Sequence, residues 1–94
     1  MPILEKDIEA KVVVHAKKLG YLARKMNGLG FSGWPDRLFI GPHGEAVFIE
    51  FKRPGGVLTA GQTLIIEELK TRGVPVFVIF DVEAGKKVLE FMLK

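Results

Sequence analysis

Residues 37–40 and 46–52 are two apolar runs separated by Gly41-Pro42-His43-Gly44, and no other stretch constrains the fold as tightly. Proline followed by glycine between runs rich in aromatic and β-branched residues predicts a β-hairpin. Alternation along its second strand puts Phe48, Glu50 and Lys52 on one face and Val47, Ile49 and Phe51 on the other. A carboxylate and an amine thus project side by side from a strand that is otherwise apolar on both faces. Polar groups in that position are costly unless they are paired or hold a metal.

The hairpin register decides what joins them. A three-residue loop, Pro42-His43-Gly44, suits a type I turn with glycine in the left-handed position. It pairs Gly41 with Glu45, Phe39 with Val47 and Asp36 with Glu50, so Asp36, Glu50 and Lys52 converge on one face. A two-residue loop would pair Asp36 with Ile49 and send the two acids to opposite faces. With the three-residue loop, the oxygen ligands suit a hard divalent cation better than zinc. The plainer alternative is a Glu50–Lys52 ion pair on an edge strand.

The rest of the chain supplies elements around this hairpin. Ile8, Val12, Ala16 and Leu19 recur at helical spacing, so residues 4–19 read as an amphipathic helix stopped at Gly20. Residues 21–26 form a short strand candidate. Residues 27–35, with three glycines and a proline, form an unusually apolar loop. Its Leu29, Phe31 and Trp34 need an apolar partner: the core, a second copy of the chain, or unstacked bases. Thr59-Ala60-Gly61-Gln62 matches a capping box opening a helix to about residue 72, with Leu64, Ile65 and Leu69 in its buried stripe. Residues 74–80 are continuously apolar and predict a buried central strand parallel to its neighbour. A last helix spans about residues 83–93. The order is α-β-β-β-α-β-α around a small mixed sheet, an α/β fold.

At 94 residues the chain is expected to form one domain, residues 1–94. It has no cysteine, which excludes a disulfide scaffold, a thiolate metal site and a cysteine nucleophile. Without a long apolar run or a signal-like start, the expected location is cytoplasmic and no membrane contact is expected. The net charge is only +3, but residues 11–37 hold six bases against Asp36 alone. That asymmetry fits a polyanionic partner; a solvated helix face is the alternative. His15 reads as a helix-surface residue and His43 as a turn residue.

Pro35-Asp36 followed by Glu50-Phe51-Lys52 resembles the PD-(D/E)XK nuclease core, and the element order is that of its restriction-endonuclease-like fold. The resemblance narrows to the small VRR-NUC domains through Gly33-Trp34-Pro35-Asp36, Glu50-Phe51-Lys52, Pro54-Gly55-Gly56 and Thr59-Ala60-Gly61-Gln62, with an acidic first helix before them. It implies a Mg²⁺- or Mn²⁺-dependent endonuclease with no small-molecule cofactor. Asp36 and Glu50, with the Phe51 carbonyl, would ligate the metal, and Lys52 would serve the attacking water. It also implies a first-helix glutamate, Glu9 or its competitor Glu5, and a catalytic role for Gln62 beside its capping role.

Arg24, Lys25 and Arg53 are the expected nucleic-acid contacts. Resemblance to archaeal Holliday-junction resolvases puts Arg24 on a backbone phosphate, a contact that positions without reading sequence. Branched DNA, a four-way junction in particular, is the expected substrate. A homodimer, helped by Phe91, Met92 and Leu93, would supply the two sites that symmetric junction cleavage needs. Small stand-alone relatives of this kind are often phage-borne. An RNA endonuclease on the same core and a non-catalytic DNA-binding module are the competing readings.

Overall fold

The computed structural model describes residues 2–26, 30 and 32–94. In chain order the elements are α1 (Glu5–Lys18), β1 (Leu22–Lys25), β2 (Arg37–Ile40), β3 (Ala46–Phe51), α2 (Ala60–Thr71), β4 (Val76–Ile79) and α3 (Val82–Met92). This is the α-β-β-β-α-β-α order expected. The strands form a mixed four-stranded sheet in the order β1-β2-β3-β4, antiparallel except for the parallel β3–β4 pair.

The β2–β3 hairpin has the three-residue loop. Gly44 donates to Gly41 O and adopts φ +90°, the left-handed conformation this turn requires, and the Gly41 amide donates to Glu45 O at 2.7 Å. Phe39 therefore pairs with Val47 and Arg37 with Ile49, and the next step of the ladder sets Asp36 opposite Glu50.

Alternation along β3 divides the core into two clusters. Val47, Ile49 and Phe51 join Phe39, Ile79 and the buried faces of α1 and α3, including Ile8, Val12 and Leu89. Tyr21, just before β1, is buried here, with its hydroxyl donating to Leu89 O at 2.7 Å and its ring edge-on to Phe39. On the other face Phe48 packs with Ile66 and Leu69 of α2 and with Val76. Helices thus cover both sides of the sheet. Burying each large apolar side chain contributes roughly 1.5–3 kcal/mol.

The α1–α3 contact is close because α3 presents Gly85 to it. A Cβ at that position would lie 2.6 Å from Val12 Cγ2. His15 also bridges the two helices, its Nε2 lying 2.8 Å from Glu90 Oε2.

Three expectations need correction. The strand at residues 76–79 is parallel to β3 as expected, but it lies at the sheet edge, not the centre. Its apolar run reflects cover from α2 on one face and α3 on the other, while Phe77 remains 36% exposed. In α2 the buried stripe is Ile66 and Leu69, and Leu64 points outward at 60% exposure. At the C-terminal end Met92 and Leu93 pack against the chain's own core, leaving Phe91 exposed.

Trp34 packs on Phe48, the ring centroids 5.8 Å apart in an edge-on arrangement. Leu29 and Phe31 lie outside the described residues. No helix among the described residues is long and apolar enough to cross a membrane.

Candidate active site

β3 carries two buried charged residues at its C-terminal end. Glu50 is 2% exposed and the residue just beyond the strand, Lys52, is 8% exposed. Their side chains meet, Lys52 Nζ lying 3.3 Å from Glu50 Oε2. The Lys52 backbone is fixed from the other side, its amide donating to Ile79 O at 2.9 Å.

Asp36 arrives from the end of the Gly33-Trp34-Pro35 approach. Pro35 is fully buried, and Gly33 adopts φ +85° against the start of α2, where a Cβ would lie 2.9 Å from Gly61 O. Only glycine combines that backbone angle with that proximity. One Asp36 carboxylate oxygen then accepts the Phe51 amide at 2.8 Å, while its carbonyl accepts the Met26 amide. The Asp36 side chain thereby finishes the β2–β3 ladder and keeps its second oxygen for another partner.

Gln62 enters from α2. Thr59 and Gln62 form the expected capping box, and the Gln62 side-chain nitrogen goes on to donate to Glu50 Oε2 at 3.2 Å. Asp36, Glu50, Lys52 and Gln62 therefore gather in one place.

The electrostatics are those of two carboxylates desolvated together. Burial, followed by the charge of Asp36, pushes Glu50 up from the usual 4.5 to about 7, against the opposing pull of Lys52. Burial also raises Asp36; the Phe51 hydrogen bond opposes this, and the charge of Glu9 adds to the rise. A single lysine does not compensate such a pair. Two oxygen donors short of positive charge are a donor set that could hold a hard divalent cation.

Glu9 and Glu5 both sit near enough on α1 for their charges to raise Asp36, Glu9 the more strongly. Glu9 does not join the pair directly. Its Oε2 accepts a 2.7 Å hydrogen bond from Arg37 Nε, and among the described residues no three carboxylate or imidazole side chains stand close enough to share an ion. The sequence marks Arg37 only as one of the six bases of residues 11–37; a base directly after Asp36 on an apolar strand is the one signal of its place here.

The expected nucleic-acid contacts are all exposed. Arg24 pairs with Leu38, which pairs with Phe48, so it shares the face of Asp36 and Glu50. Lys25 pairs with Arg37 and lies on the opposite face. Arg53 follows Lys52 and, with Pro54, lines a cleft of about 530 Å³ with Pro2, Ile3 and Leu4.

An α/β core of this order, with an aspartate just before β2 and a glutamate and a lysine at the end of the internal β3 strand, is that of the PD-(D/E)XK fold. The model of the VRR-NUC domain family matches residues 6–80, and the chain belongs to that family. A solved structure described as a VRR-NUC domain superposes with a TM-score of 0.82 at 31% identity, covering 92% of this chain and 94% of that one. A protein named as a nuclease, p44, from Acyrthosiphon pisum secondary endosymbiont phage 1 is 42% identical over 53 residues, or 56% of this chain. That match spans 57% of the phage protein's length.

Proposed function

We propose that the chain is a metal-dependent, structure-selective DNA endonuclease that hydrolyses phosphodiesters in branched DNA, four-way junctions in particular. The observation that carries the reading is the buried Glu50–Lys52 pair set beside Asp36, two acids and one base where an apolar strand would otherwise continue. Residues 1–94 act as one nuclease domain, and the cytoplasm, that of the host if the gene is phage-borne, is its place of action.

Asp36 and Glu50 hold Mg²⁺ or Mn²⁺, with the Phe51 carbonyl as a further oxygen ligand. When bound, the cation supplies positive charge to the scissile phosphate and acidifies water. Lys52 orients the attacking water and stabilises charge on the phosphoryl oxygens as the new P–O bond forms and the bond to one deoxyribose oxygen breaks. Gln62 holds Glu50 in a single orientation. Arg24 and Arg53 anchor backbone phosphates beside the site, and Lys25 serves the duplex beyond the sheet edge. The exposed Phe77, Phe80 and Phe91 support a homodimer, which would present two sites to a junction.

The test is cleavage of a labelled four-way junction, a 5′ flap, plain duplex and hairpin RNA in EDTA, Mg²⁺ or Mn²⁺, beside a Lys52→Ala variant. Paired, metal-dependent nicks in the junction that the variant cannot make support the reading. Cutting of the RNA in preference to every DNA would replace the substrate class. Tight junction binding indifferent to metal, without cutting, would make the chain a binding module.

A further inference from the structure

Leu4 breaks a local rule. It caps the start of α1, where Ser, Thr, Asp or Asn would bind a free amide of the first turn, and its side chain makes no such bond. Its carbonyl alone takes part, accepting the Asp7 and Ile8 amides at 3.1 and 3.2 Å. Nor is the side chain buried in exchange: Leu4 is 41% exposed and Ile3, beside it, 56%. Two aliphatic side chains thus stand in water where the helix favours a polar one. Departures from local preference of this kind are expected at functional sites.

The same two residues, with Pro2, form one wall of the cleft of about 530 Å³ whose other wall is Arg53 and Pro54. That second wall is the start of a tight turn. The Gly56 amide donates to Arg53 O at 2.9 Å, and Gly55, directly after the proline, adopts φ +81°. Proline followed by a left-handed glycine defines a type II turn. Arg53 directly follows Lys52, so their Cα atoms are ~3.8 Å apart and the cleft opens one residue from the candidate active site. The Lys52 amide is bonded to Ile79 O, which ties this wall to the sheet.

An apolar slot with a guanidinium in one wall matches a nucleobase and the phosphate beside it. Bases of an intact duplex are paired and stacked, and closed to such a slot. Leucine, isoleucine and proline are among the side chains that proteins drive between base steps to open them. A base at a branch point has already lost part of its stacking, so admitting it costs least.

We infer that the cleft takes an unstacked nucleotide flanking the scissile phosphate, with Ile3 and Leu4 as the wedge against its base and Arg53 on its phosphate. The inference deepens the branched-DNA reading and rests on it. Selectivity for branched DNA then resides in the approach to α1 and the turn after Lys52, and the carboxylates have no part in it.

The experiment places the fluorescent base 2-aminopurine at the branch point of a four-way junction, and inside a plain duplex for comparison. Both are titrated in EDTA with the full chain as wild type, L4S, I3S and the I3S/L4S double variant. Thermal melts and light scattering are run beside them. Fluorescence should rise when wild type binds the junction and stay flat on the duplex. In the double variant the rise should vanish, and the junction-over-duplex affinity ratio should fall about tenfold, the loss expected from one aliphatic contact. L4S should melt at or above wild type, because serine caps the helix better than leucine. A melt lowered by several degrees would make Leu4 a structural residue and overturn the wedge, as would an unchanged fluorescence rise in the double variant. A double variant that turns a dimer into a monomer would assign the cleft to a second copy instead. Wild type that neither prefers the junction nor cuts it in Mn²⁺ overturns the branched-DNA reading itself. That result is distinct from wild type that cuts the junction while the branch-point base stays dark, which overturns the wedge alone.

Discussion

The Gln62 side-chain nitrogen donates to Glu50 Oε2 at 3.2 Å while its carbonyl oxygen accepts the Thr59 amide at 2.9 Å. One amide group therefore closes the start of α2 and holds the most buried carboxylate of the site. The two ends can be separated by mutation. Gln62→Glu keeps the acceptor for Thr59 but replaces the donor with a second negative charge against Glu50. It should melt close to wild type and cut at least tenfold more slowly. Gln62→Ala should lose roughly 0.5–2 kcal/mol of stability as well. Melting curves alongside initial cleavage rates check this, and a fully active Gln62→Glu would remove Gln62 from the site.

The metal-free protein should lose stability as pH rises through the range in which Glu50 titrates. Its carboxyl is raised from 4.5 to about 7. Between those values the folded state holds a proton that the unfolded state has released, so unfolding free energy falls with increasing pH and levels off above about 7. Asp36, also raised, changes stability in the same direction. Urea titrations in EDTA at several pH values should show this slope, with Glu50→Gln flatter. A stability that climbs across the window would contradict the burial argument.

Gly85→Ala tests the helix pairing away from the site. The added methyl would meet Val12 Cγ2 at 2.6 Å and Cγ1 at 3.2 Å. Overpacking of that kind costs about 1–3 kcal/mol, against about 1 kcal/mol gained from helix propensity. Net destabilisation is expected, relieved in the Gly85→Ala/Val12→Ala double variant because the space reopens. Urea midpoints of the two variants decide it, and an unrelieved double variant would place the strain elsewhere.

Gly33→Ala combines a left-handed backbone with a Cβ 2.9 Å from Gly61 O. The Pro35-Asp36 approach should shift away from α2, so cleavage and Mn²⁺ binding should fall together. Destabilisation should exceed the ~1 kcal/mol lower end of backbone strain. Mn²⁺ affinity unchanged from wild type would show that Asp36 is placed independently of this contact.

What was legible in the sequence was local. Pro42-His43-Gly44 specifies a turn, the turn specifies the register, and the register brings Asp36 opposite Glu50. Thr59 and Gln62 declare the start of α2 because a capping box is complete within four residues. Longer-range matters were less visible. An apolar strand between two helical layers reads alike at the centre or edge of a sheet, and the sequence of β4 does not distinguish the two. Leu64 faces solvent against expectation because a helix with apolar residues at 64, 65, 66 and 69 leaves its phase ambiguous. The Arg37–Glu9 tie joins residues 28 apart, and no periodicity reports such a contact.

The parallel pairing of β3 with β4 has a consequence for synthesis. Asp36, Glu50, Lys52 and Gln62 all precede in the chain the strand that anchors Lys52, so they emerge from the ribosome before it does. The Lys52 amide finds its partner at Ile79 only after α2 has crossed over and β4 has docked, and such non-local pairing is slow to form. A nascent chain thus carries the candidate site residues early but lacks the full frame around them until β4 has emerged as well. Competence for chemistry arrives with the last strand.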